Sequence, residues 1–231
     1  NFPHEFLTAT LNYSIDRTDK IILLKKELER LNIDFLKPDV NYSNPNFSIE
    51  LNKEKKKCIR FGLGAIKGIG IKSISKLVEE RNKSGKFKGI IDLLKRVNQD
   101  VNNKRQLEKL IQSGSLDTVE KNRFKMFENV SRFNELFSDD DKKSDQSLLF
   151  EEQELDFNDR NLFIQKNKDW NINQRLRNEL EVIGFYFSDH PLNHYPKKFF
   201  KINNIINYED LNINSEIKTA VLSGAILDIK E

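Results

Sequence analysis

Apolar residues recur along this chain at helical spacing in most segments and alternate in only two places. Residues 2–13 read as a helix with Pro3 in its first turn, where a missing N–H does no harm. Ile21, Leu24, Leu28 and Leu31 form a second helical stripe, with Asp16 or Thr18 placed to cap it and Asn32 suited to a left-handed stop. Phe47 to Leu51 and Lys57 to Phe61 alternate around a polar Asn-Lys-Glu-Lys turn, the pattern of a β-hairpin. Further helices are predicted around Ile74, Leu77 and Val78, then around Phe87, Ile90, Ile91, Leu94 and Val97. A third carries Leu107, Leu110 and Ile111 and stops at Gly114, and a fourth runs through Phe124, Phe127, Val130, Phe133 and Phe137. Periodicity vanishes over 138–160 and returns near Asn171, in a helix bearing Leu176, Leu180 and Ile183 and closed by Gly184. Pro191 opens a short helix, and Ile217 to Ile229 favour a strand with a bend at Gly224. The expected fold is mainly α: a compact helical module preceded by a short β-hairpin.

Between the β-hairpin and the helix of Ile74 lies Leu63-Gly64-Ala65-Ile66-Lys67-Gly68-Ile69-Gly70. Gly68 and Gly70 flank one apolar residue between two predicted helices. Glycine admits positive φ and close backbone approach, and the following helix begins with amides facing outward, an arrangement that binds anions such as phosphate. This is the sequence form of a helix-hairpin-helix, which grips the DNA backbone without reading bases. Leu63, Ile66, Ile69 and Leu77 fall where its two helices need apolar contacts. Lys67 and Lys72 flank the phosphate position, with Arg60 and Lys76 nearby. Ile74 departs from the usual small residue and is expected to widen the helix crossing. Lys104-Arg105, Leu107, Leu110, Ile111 and Ser113-Gly114-Ser115-Leu116 form a weaker second copy with one glycine; an ordinary helix with a glycine stop fits these residues equally well. Two such hairpins would hold both strands across a minor groove, contacts that position without specifying sequence.

The formal net charge of +3 conceals a layout. Residues 51–110 hold 17 Lys/Arg against 6 Asp/Glu, whereas 135–160 hold 3 against 10. The basic block around the glycine hairpin points to nucleic acid, although two solvated helical faces would give the same charges. Inside the acidic stretch sits one apolar island, Gln146-Ser147-Leu148-Leu149-Phe150. Aliphatic and aromatic anchors with a polar residue at the rim suit a docking peptide; packing back onto the helical module is the alternative. Asp139-Asp140-Asp141 do not converge as a metal site needs, and His190 and His194 read as surface histidines of a turn. No Walker-type loop or nucleophile elbow is present. No catalytic or metal-binding residue is therefore assigned.

Composition narrows the class further. Over 231 residues, 37% are hydrophobic and 32% charged, which supports modest cores. The single cysteine, Cys58, excludes a disulfide framework and fits a reducing compartment. No apolar run is long enough for a membrane span, and no signal peptide opens the chain. Starting at Asn1 and ending at Glu231 within a β-region, the chain reads as a fragment.

Together these motifs resemble the alpha subunits of bacterial replicative DNA polymerase III. The matching stretches are Phe2 to Phe6, Asp16 to Lys20, Pro38-Asp39-Val40-Asn41, Arg60 to Gly70, Asn103-Lys104-Arg105 with Leu107 to Asp117, Gln146 to Phe150, and Leu180 to Tyr186 leading to His190-Pro191-Leu192. The resemblance implies distal fingers over 1–56 and a tandem helix-hairpin-helix domain over 57–137, holding duplex DNA through Arg60, Lys67, Gly68, Ile69, Gly70, Lys72, Lys76, Lys104, Arg105 and Gly114. It implies a linker over 138–170 whose Gln146, Leu148, Leu149 and Phe150 bind the sliding clamp. A helical connector over 171–216 and the first strand of an oligonucleotide-binding (OB) barrel over 217–231 would follow. The parent would be a cytoplasmic, nucleoid-associated DNA polymerase using Mg²⁺ on carboxylates upstream of Asn1, partnered by other replicative holoenzyme subunits and no membrane. This fragment would need no cofactor and catalyse nothing alone. A non-catalytic helix-hairpin-helix module of a repair or recombination protein is the rival reading.

Overall fold

The structure, a computed structural model, describes residues 2–97, 103–137, 168–206 and 219–225. Helix α1 (Pro3–Tyr13) starts on Pro3 and buries Leu7 and Leu11; helix α2 (Thr18–Arg30) buries Ile21 and Leu28. The expected cap on α2 does not form. A tight turn in which the Arg17 amide bonds the Ser14 carbonyl at 2.9 Å puts Arg17 at the N-cap, and no side chain caps the helix. Asn32 does adopt the left-handed conformation, with φ 54°.

Strands β2 (Ser48–Leu51) and β3 (Lys57–Arg60) form the predicted antiparallel hairpin, with Ile49 opposite Ile59. The Asn52 side chain closes the turn by accepting from the amides of Glu54 and Lys56 at 2.9 and 3.0 Å. An unpredicted two-residue strand, β1 (Phe35–Leu36), pairs parallel with β3 and makes it the central strand. Cys58 and Ile59 are consequently both buried, although they point to opposite faces. The division expected at 56–57 falls at the start of β3, and one hydrophobic cluster runs from Leu7 to Phe185 across it.

The helical module follows. The segment before the glycine hairpin is a single 3₁₀ turn, Leu63–Ala65, and not the helix expected there. Helix α3 (Ile71–Ser84) fully buries Ile74 and Leu77, each a transfer gain of roughly 1.5–3 kcal/mol. Helices α4 (Ile90–Arg96) and α5 (Lys104–Gln112) come next. The single helix expected through Phe124 and Phe133 is two, α6 (Arg123–Glu128) and α7 (Val130–Phe137). They break at buried Asn129, whose side chain donates to the Lys125 carbonyl at 2.8 Å. Helix α8 (Ile172–Ile183) ends on left-handed Gly184 as predicted. Pro191 opens a 3₁₀ turn, and helix α9 (Lys197–Ile202) follows. Of the C-terminal strand expected over Ile217–Ile229, only 219–225 are described; there Val221 makes an isolated parallel bridge to Ile205.

Two features tie these parts together. Phe185 and Phe187 return from α8 to the sheet, where Phe187 meets Phe35 and Phe61 at centroid distances of 5.4 and 5.8 Å. The loop after Pro38 is the other. Asp39 Oδ1 accepts from the Asn41 amide and the Thr118 hydroxyl, at 2.8 and 3.0 Å. Asn41 exchanges two hydrogen bonds with the Phe87 backbone, and buried Arg81 donates to the carbonyls of Val40 and Ser43. Burial pushes the Asp39 carboxyl up and the Arg81 guanidinium down.

Candidate nucleic-acid interface

Gly68 takes φ +81°, so it supplies the left-handed residue that reverses the chain before α3. Gly70 does something different. It lies in extended backbone at the N-cap of α3, with no side chain capping the helix. The first helical bond shown there runs from Ile74 to the Gly70 carbonyl, so the amides of Ile71, Lys72 and Ser73 head the helix. By contrast, α5, α6 and α8 are each capped by an asparagine: Asn103, Asn122 and Asn171. The helix beginning at the glycine hairpin is left open where those three are closed by their own sequence.

Charge gathers at the same place. The Arg105 guanidinium of α5 lies 3.8 Å from where a Cβ on Gly68 would sit, and the Lys109 Cγ 3.9 Å from it. Lys109 is held by Gln112 at 3.1 Å and Glu181 at 2.8 Å, and the Gln106 amide donates to Ser73 Oγ at 3.1 Å. The Lys67 amide donates to the Val182 carbonyl at 2.8 Å, so the C-terminal end of α8 braces the hairpin. Lys67, Gly68, Gly70, Lys72, Lys76, Lys104 and Arg105 are all exposed, and Ile69 is half-buried beneath them. The start of α5 thus converges on the first hairpin.

Two residues expected on that face turn inward. Arg60 is largely buried: Nε and Nη2 hold Glu50 at 3.1 and 2.5 Å, and Nη1 donates to the Lys37 carbonyl at 2.9 Å. Gly114 is buried, and its left-handed turn (φ +76°) lies directly beneath Arg123. Pattern reading missed Arg123 altogether. Its side chain, 3% exposed, makes a two-pronged pair with Asp117, both bonds 2.8 Å, and a third bond to Glu179 at 3.0 Å. Glu179 also accepts from the Ser188 amide and hydroxyl. A signal was available, since Glu179 lies three residues after Leu176 and four before Ile183, on the buried stripe of its helix.

Gln146, Leu148, Leu149 and Phe150 lie outside the described residues. No group of three or more His, Cys, Asp or Glu among the described residues could hold a metal ion, and no described helix is long and apolar enough to cross a membrane.

Comparison with known proteins agrees with this geometry. The helix-hairpin-helix motif family matches residues 32–126. The chain is 33% identical to the DNA polymerase III subunit alpha of Campylobacter jejuni, over 99% of this chain and 19% of that protein. It is 31% identical to that of Buchnera aphidicola from Acyrthosiphon pisum, over 100% and 20%, and 33% to that of Borreliella burgdorferi, over 94% and 18%. The chain therefore resembles DNA polymerase III alpha subunits along nearly its whole length, and spans about a fifth of the length of the curated relatives it matches.

Proposed function

We propose that this chain is a segment of a bacterial replicative DNA polymerase, and that it holds duplex DNA by its backbone through the Gly68–Gly70 hairpin and the start of α5. The observation that carries this reading is the open N-terminus of α3, a 14-residue helix headed by the glycine hairpin, beside the exposed guanidinium of Arg105. Phosphate is the anion that three amides, Lys72 and Arg105 can take together. Such contacts are independent of base sequence and strongly salt-dependent. Nucleotide transfer, and the Mg²⁺ it uses, is assigned to parts of the parent outside this chain. The parent works in the cytoplasm at the nucleoid. The Gln146–Phe150 island is its tether to the sliding clamp, and residues from Ile217 begin an OB domain. The near full-length similarity to alpha subunits favours this over a free-standing repair module.

Gly70→Asp separates the functional role of the hairpin from its structural one. The extended backbone at Gly70 accepts Asp, and a Cβ there would meet only Ser73 Oγ, at 3.7 Å. An Asp N-cap stabilises a helix by a few tenths of a kcal/mol relative to Gly. It also occupies an amide and sets a negative charge against the phosphate, which costs at least about 1 kcal/mol of binding at ~4 Å. The variant should melt no lower than the parent chain, yet bind a 20-base-pair duplex about fivefold or more weakly in fluorescence anisotropy. Lys72→Gln and Arg105→Gln should each lower the salt slope by about 0.9. Unchanged duplex affinity for Gly70→Asp would remove the hairpin from the interface.

A further inference from the structure

Tyr42 lies in the loop after Pro38, on an element that the duplex reading does not use. It is 48% exposed, while its neighbours Asn41 and Ser43 are buried. Both neighbours are fixed. Asn41 is bonded to the Phe87 backbone, and Ser43 holds the Asp39 amide with its hydroxyl and the Arg81 guanidinium with its carbonyl. The ring therefore projects from a rigid backbone. Two cations attend it: the Lys86 ammonium stands 3.7 Å from the ring centroid and the Arg60 guanidinium carbon 5.5 Å from it. Arg60 is already neutralised by Glu50. Lys86 is exposed, on a flexible stem, and remains the cation able to move.

From this geometry we propose that Tyr42 is a stacking platform for an unpaired DNA base, with Lys86 taking the adjoining phosphate. Fixed, exposed aromatic rings beside mobile cations are how proteins hold single strands, because every base offers a π-face whatever its identity. A surface cation–π contact is weaker than base–aromatic stacking, so an incoming base displaces Lys86 from the ring. The released ammonium is then within reach of that nucleotide's phosphate. A paired base offers no free face, so the platform is specific for single strands. This inference goes beyond the duplex reading and does not depend on it.

The test is fluorescence anisotropy of the 231-residue chain with labelled oligothymidylate and, separately, a blunt duplex. Tyr42→Ala should weaken binding to the single strand about tenfold, Tyr42→Phe by less than about twofold, and neither should alter duplex affinity. Lys86→Gln should reduce the single-strand salt slope by about 0.7. The proposal is overturned if Tyr42→Ala binds oligothymidylate as the parent does, if Tyr42→Phe loses as much as Tyr42→Ala, or if the duplex suffers equally. In a Gly70→Asp background the Tyr42 effect on single strands should persist, whatever that background does to duplex binding.

Discussion

Gly114→Ala should be among the most damaging single-methyl additions available in this chain. Two costs combine. A non-glycine residue held at φ +76° loses roughly 1–2 kcal/mol from backbone sterics. The new Cβ would then lie 2.1 Å from Arg123 Nη2 and 2.6 Å from its Cζ, so the guanidinium has to leave. That breaks its pairing with Asp117 and Glu179, whose side chains are 17% and 1% exposed. Removing one partner of a buried pair costs about 3–5 kcal/mol. The sum is on the order of 4–7 kcal/mol, and at about 2–4 °C per kcal/mol it lowers the melting temperature by some 10 °C or more. Urea denaturation followed by circular dichroism, on Gly114→Ala, Arg123→Ala and the double variant, separates the two costs. With Arg123 truncated, the added methyl should cost only the backbone part, roughly 1–2 kcal/mol. Equal costs for Gly114→Ala in both backgrounds would refute the claim that this glycine exists to make room for Arg123.

The remaining predictions concern the same core and the linker. Burial alone would raise the Asp117 carboxyl, but hydrogen bonds and charge from Arg123, with Lys37 behind, outweigh it and hold the group below its ordinary value. The unfolded chain binds that proton more readily, so the stabilisation is complete above ~pH 4 and is lost as pH falls below it. Asp117→Asn should be less stable at neutral pH and show a shallower fall in melting temperature between about pH 4 and pH 2. Cys58 is fully buried with its thiol pushed up by burial, so it should resist a thiol reagent at ~pH 8 in the folded chain and react fully in urea. A peptide spanning Ser144 to Glu152 should bind a bacterial sliding clamp in the micromolar range or so, and Leu149→Ala with Phe150→Ala should abolish that binding. Equal titration curves for the two peptides would end the clamp assignment.

Features that neighbours in sequence can encode were legible. α1, α8, the β2–β3 hairpin and the left-handed stops at Asn32, Gly114 and Gly184 follow from local spacing and turn chemistry. The glycine hairpin was legible too, and with it the exposed Lys67, Lys72 and Arg105. Partners distant in sequence were not. β1 is two residues long and exists because Phe35 and Leu36 meet β3 more than 20 residues later. The split between α6 and α7 is invisible in a continuous apolar stripe, because Asn129 acts through its hydrogen bond rather than its hydropathy. Arg60 and Gly114 carried the right residue types for DNA but the wrong surroundings. Glu50 and Arg123 claim them, and only the fold brings those residues near.

The described residues on either side of 138–167 belong to one body, which bears on how the proposed clamp tether would work. α7 runs to Phe137, and the chain is again held at Lys168, whose carbonyl accepts from the Asn122 side chain at 3.3 Å. Trp170 packs on Phe127 at 5.3 Å, and Asp169 pairs with Arg175. The island proposed to bind the clamp lies in the sequence between these two anchored points. Eight residues separate Phe137 from Gln146, and at ~3.4 Å per residue those nine steps can span at most roughly 30 Å. Phe150 and Lys168 are about twice as far apart in sequence, so the N-terminal stretch sets the upper limit. A clamp engaged at Gln146–Phe150 would be confined to roughly 30 Å from the end of α7. The glycine hairpin is fixed to the same body through Lys67 on Val182 and Lys109 on Glu181. If the island docks on the clamp as proposed, a tether that short would keep the effective concentration of clamp-encircled duplex at the hairpin high. On the proposed reading, two weak contacts would then hold the chain on DNA without either having to be tight enough to stop it sliding.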